Sequence, residues 1–186
     1  MNYLDFIPYE LIVEILLYLD IDELENPAKI STNVRSVIIT KLFWIRKLQL
    51  EHMSEYIPFL GRNETDIEDY KEFMNIEEEI HEILYMTRDF DKQFLIKLKK
   101  YVDIKDLINK YTPEEIGNLV TLEDDDMEHI FIKYKGPNTY KYEAICIDID
   151  IIIGELSKEE VKLLLIKLRL GDIYLESISY FEEGPL

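Results

Sequence analysis

Asp148 and Asp150 are separated by one residue in a run where Ile145, Ile147, Ile149, Ile151 and Ile153 alternate with Cys146, Asp148, Asp150 and Ile152. Alternate side chains of a strand share a face, so this spacing sets two carboxylates side by side. Hard divalent cations take carboxylate oxygen, and metal-dependent nucleotidyl- and glycosyltransferases hold Mg²⁺ or Mn²⁺ with such pairs. No Gly-Ser loop or phosphate-cradling Gly-rich stretch accompanies the two aspartates, so a solvated strand face is the simpler account. Glu78 and His81 have the Glu-x-x-His spacing of di-iron bundles, which require a second such pair. The other candidate, Asp126 with His129, falls in the acidic loop Glu123 to Asp126. That loop lacks the Gly and spacing of a calcium-binding loop. His52, His81 and His129 form no nucleophile–base pattern with Cys146 or any Ser. No catalytic residue, metal ligand set or cofactor is therefore assigned.

The elements that would position these groups are legible in part. His129 to Tyr134 and Tyr140 to Ile153 are rich in β-branched and aromatic residues and flank Gly136, Pro137 and Asn138, which predicts a hairpin. Ser157 with Glu160 is a capping box opening a helix through Val161, Leu164, Leu165 and Leu168, with Gly171 as its stop. Asp172 to Phe181 is assigned as a third strand. Upstream the pattern is helical. Thr65 and Glu68 form a capping box for a helix to about Thr87, with Ile67, Tyr70, Phe73 or Met74, Ile80, Ile83 and Leu84 inward. Asp91 is placed as the cap of a helix through Phe94, Leu95, Leu98 and Val102, and Asp103 as the cap of a short one through Leu107 and Ile108. Thr112, Pro113 and Glu115 supply an N-cap, a proline at the first helical position and a capping-box glutamate. Tyr18 to Leu24 echoes Tyr101 to Leu107, each following an apolar helix, and repeated aspartate capping accounts for the echo. The fold class expected is mostly α with a small α+β C-terminal part.

Residues 6–48 carry the most specific pattern. Pro8 sits where a first helical turn tolerates it. Leu11, Ile12, Ile15, Leu16 and Leu19 follow at helical spacing, and Val13 and Leu17 add apolar surface off that stripe. A helix apolar around so much of its circumference must be covered on more than one side. Yet a unit of this size rarely buries enough surface to stand alone. Asn26 and Pro27 read as the N-cap and first residue of a second helix. A helix from Trp44 to Met53 closes the stretch, and Pro58 to Gly61 marks a boundary between a module over 1–57 and a domain over 62–186.

The ordered set resembles the F-box. Ile7, Pro8, Tyr9, Glu10 and Leu11 fill its first element. Ile15, Tyr18 and Leu19 fill the helix, and Asp20, Asp22 and Leu24 the acidic turn and its leucine. Ile30 and Ser31 stand at its Val-Ser, and Phe43 and Trp44 at its end. Val34 stands where an aromatic residue is common. The resemblance covers about the first quarter of the chain. It implies a non-enzymatic adaptor that docks a Skp-family linker of a cullin-RING (SCF-type) ubiquitin ligase and presents an unidentified protein client. The expected anchors are Ile7, Pro8, Leu11, Ile12, Ile15, Leu16, Leu19, Leu24, Ile30 and Trp44. Alternatives are the metal-dependent transferase using Asp148 and Asp150, and a structural or virion protein whose N-terminal helices complete its own core.

Composition bounds these readings. The 186 residues are 47% hydrophobic and 32% charged, with formal net charge −18. The first 50 residues carry seven acidic and five basic side chains, so most of that charge lies downstream. Such a field repels phosphate backbones, which disfavours nucleic acid and anionic membranes as partners. No apolar run reaches membrane-span length. The N-terminus lacks a signal-peptide pattern, and Cys146 is the single cysteine. A reducing, cytoplasmic location is expected. The abundance of Ile, Asn, Lys and Tyr with little Arg reflects A/T-rich codons, and with the F-box pattern it resembles proteins of giant DNA viruses, for which the location would be the host cytoplasm.

Overall fold

In the computed structural model, residues 6–24, 31–63, 65–90, 92–121, 128–146, 149–173 and 180–181 are described. Cys146, Ile149, Asp150, Tyr180 and Phe181 are described by their backbone alone. The chain is mostly helical with a small antiparallel sheet, as expected. It divides into two compact units, Met1–Asn75 and Ile76–Leu186.

In the first unit, α1 (Tyr9–Leu17) begins after Pro8, whose carbonyl accepts from the Leu11 and Ile12 amides. Asp20 starts a helical turn over 21–24, and its own amide donates to the Glu23 carboxylate at 3.0 Å. α2 (Thr32–Ile38) is capped by Ser31, whose hydroxyl accepts from Val34 N at 3.3 Å. Ser31 is extended, at φ −126° and ψ 125°, so no helix begun at Pro27 runs through it into α2. α2 itself starts at Thr32, and the helix start expected at Asn26 and Pro27 lies, with Ile30, outside the described residues. α3 (Lys41–Leu50) brings in Trp44, which is fully buried and donates through Nε1 to the Ile38 carbonyl at 2.7 Å. A 3₁₀ turn follows over Ser54–Phe59.

The long helix α4 (Asp66–Asp89) confirms the start at Thr65 and contributes to both units. In the first unit its Tyr70 ring lies 5.1 Å from Trp44, and Phe73 lies 5.0 Å from Tyr56. Phe73 rather than Met74 points inward. Buried Asp69 accepts the backbone amides of Gly61, Arg62 and Asn63. This carboxylate holds the stretch after Pro58, where Gly61 takes φ +94°, inside the first unit.

The second unit is built on a sheet of order β4-β3-β2-β1-β5, antiparallel throughout: β1 (Gln93–Leu98), β2 (Glu128–Gly136), β3 (Thr139–Cys146), β4 (Ile149–Ser157) and β5 (Tyr180–Phe181). The helix expected through Phe94, Leu95 and Leu98 is instead β1, a strand between β2 and β5. Its buried sequence fits either period, and pairing on both edges decides it. The strand expected from Tyr140 to Ile153 is two strands that pair with each other, Ala144 opposite Ile152. Of the strand expected over Asp172 to Phe181, Tyr180–Phe181 forms β5, Asp172 is a turn residue at φ 63°, and residues 174–179 lie outside the described residues. The inner face carries Phe94, Ile96, Leu98, Ile130, Ile132, Tyr140, Tyr142, Ala144 and Leu156. α5 (Ile104–Lys110) is capped by Asp103, and α6 (Pro113–Leu119) by Thr112. α7 (Lys158–Leu170) is capped by Ser157, and both the Thr112 and Ser157 capping boxes are complete. α7 buries Val161, Leu164, Leu165 and Leu168.

Candidate functional site: an outward apolar stripe on the first helix

The first helix has two apolar faces. Ile12, Leu16 and Leu17 point into the unit, with exposures of 3%, 3% and 5%. Leu11, Ile15 and Tyr18, at i, i+4 and i+7, point out, with exposures of 55%, 51% and 73%. The spacing puts these three along one stripe. Glu14 borders it and joins α3 by an ion pair to Arg46 at 2.8 Å. Phe6 and Tyr9 are also exposed.

The expected anchors among the described residues therefore separate into two groups. Ile12, Leu16, Leu24 and Trp44 are core residues of the chain itself and cannot also be anchors for a partner on the folded unit. Pro8, Leu11 and Ile15 are exposed, and Ile7 and Leu19 are half-buried. Tyr18, which belongs to the motif, completes the outward stripe. The helical period was visible in the sequence, but a helix apolar on most of its circumference does not declare its inward side.

The inner side is fixed by Lys47. Its ammonium is buried at the end of α1, where it donates to the carbonyls of Leu17 at 3.2 Å and Leu19 at 2.8 Å and pairs with Glu51 at 2.9 Å. A cation suits the negative end of a helix and satisfies carbonyls that the helix leaves unpaired. Glu51 also accepts from the Tyr70 hydroxyl. Burial, and then this carboxylate, hold the Tyr70 phenol well above the usual tyrosine range.

The other candidate groups are not gathered into a site. Asp148 and the Asp150 side chain lie outside the described residues. Glu78 and His81 are exposed on α4, and His129 stacks on Phe131 at 6.2 Å. Among the described residues no group of three or more His, Cys, Asp or Glu is placed to hold a metal. Among them, too, no helix is long and apolar enough to cross a membrane. Comparisons with protein-family models, with curated proteins and with solved structures give no match.

Proposed function

We propose that the first unit is a docking module and the chain a substrate-recruiting adaptor of an SCF-type ubiquitin ligase. In this reading α1 lays Leu11, Ile15 and Tyr18 into an apolar groove of a Skp-family linker. The second unit then holds a protein client for ubiquitin transfer by the rest of the ligase, in the cytoplasm. The observation that supports it is the outward stripe on a helix whose inner face is already satisfied. An amphipathic helix seated in a groove is read by anchors at this spacing. Adjacent exposed large apolar residues mark interaction surfaces more often than single ones do. The ordered F-box resemblance supplies the identity of the linker. Co-expression of the full chain with a Skp-family linker, followed by size-exclusion chromatography, tests the reading. A co-eluting complex is expected. Two separate species at about 50 μM would reject it, since that concentration captures any complex with micromolar affinity.

A further inference from the structure

The second unit contains a cleft of about 340 Å³ between the C-terminal part of α4, the β2–β3 turn and the start of α7. This is the lower end of the size range of small-molecule sites, about 300–1,000 Å³. Its lining is unusual for so acidic a chain. Arg88 and Lys158 bring two cations and His81 an imidazole, and none of the described residues lining it is a carboxylate. Among the described residues Arg88 pairs with Asp89, from Nε at 2.7 Å and from Nη2 at 3.4 Å, which leaves Nη1 for a ligand. The remaining walls are aromatic. Tyr140 is 2% exposed and packs edge-on against Tyr134 at 5.6 Å, so this floor is fixed in place. Tyr85 is half-exposed and braced edge-on by Phe90 at 5.5 Å. The turn that closes one side is set by Asn138 at φ 59°, and the Asn138 carbonyl accepts from the Lys158 amide at 3.0 Å.

We propose that this cleft binds an aromatic phosphomonoester, a planar ring carrying a dianionic phosphate. Guanidinium and ammonium groups recognise phosphate oxygens by charge-assisted hydrogen bonds. Lys158 and Arg88, the latter shared with Asp89, offer positive charge to the phosphate, and the half-exposed Tyr85 offers a face to a stacked ring. The site lies within the second unit and does not depend on what the first unit docks. The ring has two natural sources, a phosphotyrosine side chain and a nucleoside monophosphate.

Calorimetric titration of the full chain tests this with phosphotyrosine, adenosine monophosphate, tyrosine and inorganic phosphate as probes. Submillimolar binding of phosphotyrosine or of the nucleotide is expected, and the tighter of the two identifies the source. Tyrosine and inorganic phosphate should each bind about tenfold more weakly or worse, since each lacks half of the contacts. Arg88→Gln and Lys158→Gln should each weaken the preferred probe about tenfold or more, with an unchanged thermal midpoint because both side chains lie on the surface. The proposal is overturned if neither phosphorylated probe binds at about 10 mM, far above the micromolar to millimolar range of such contacts. It is equally overturned if inorganic phosphate binds as well as the aromatic esters, or if both variants bind like the wild type.

Discussion

Lys47 closes the first helix through Leu19. The ammonium donates to the Leu19 carbonyl at 2.8 Å while Lys47 itself is 1% exposed. A buried cation needs such partners, and here two backbone carbonyls and Glu51 supply them. Lys47→Met keeps the aliphatic stem but leaves the Leu17 and Leu19 carbonyls without their donor. We expect a loss of about 1–3 kcal/mol, the cost of unsatisfied buried polar groups. Lys47→Ala should cost more, because a cavity is added to the lost bonds. Urea denaturation checks both, and an unchanged midpoint in Lys47→Ala would show that the lysine does not close α1.

Gly117 and Gly171 mark a close backbone approach between α6 and the end of α7. A Cβ on Gly117 would stand 2.2 Å from the Gly171 carbonyl oxygen, and one on Gly171 would stand 2.3 Å from the Pro113 carbonyl oxygen. Both obstacles are backbone, which cannot rotate aside as a side chain can. Gly117→Ala gains about 1 kcal/mol of helix propensity. Overpacking costs about 1–3 kcal/mol or more and should win. A lowered thermal midpoint in Gly117→Ala and Gly171→Ala is expected, and a raised one would contradict the close approach.

Stability should fall at high pH. Burial raises the phenols of Tyr70, Tyr140 and Tyr142 above their ordinary value of 10.0. Above that pH the unfolded chain loses these protons while the folded chain keeps them, so the stability present below pH 10 is lost as pH rises beyond it. Lys167 works the other way just below its ordinary 10.5, because burial lowers its value in the fold. There the folded chain sheds its proton first, and stability rises with pH. Three tyrosines against one lysine give a net loss above pH 10. Thermal midpoints measured from pH 8 to 11.5 should decline beyond 10. Phenolate absorbance should show three tyrosines titrating only as the chain unfolds. A flat midpoint across that range would contradict the burial of these phenols.

What was legible in the sequence is what local chemistry decides. The Thr112 and Ser157 capping boxes, the Asp103 cap and the start of α4 after Thr65 all lie where their short patterns placed them. Sheet pairing was less legible. Phe94, Leu95 and Leu98 satisfy a helical period, and only the partners on both edges make them β1. The Ile145–Ile153 alternation runs on through the junction of β3 and β4, so periodicity alone gives no break there. The cleft was invisible for a different reason. Arg88, Tyr134, Tyr140 and Lys158 sit on four separate elements, and no sequence spacing connects them.

Leu11 and Leu16 should respond very differently to the same substitution. Leu16→Asp places a carboxylate in the core and removes a buried aliphatic side chain, for a loss of about 3–5 kcal/mol. Leu11→Asp changes a surface position and should shift stability by no more than about 0.5 kcal/mol. Thermal and urea midpoints of the two variants check this. Equal losses would mean that Leu11 is also core, which would remove the docking stripe.

The most direct test of the adaptor account is calorimetry of the full chain against a Skp-family linker, repeated with a Leu11→Asp, Ile15→Asp double variant. The wild type should bind with at least micromolar affinity. The double variant should keep its thermal midpoint and lose binding by about a hundredfold, since two apolar anchors are replaced by charges that would be desolvated in the groove. No binding heat from the wild type at about 50 μM, or a double variant that binds as well as the wild type, would contradict it.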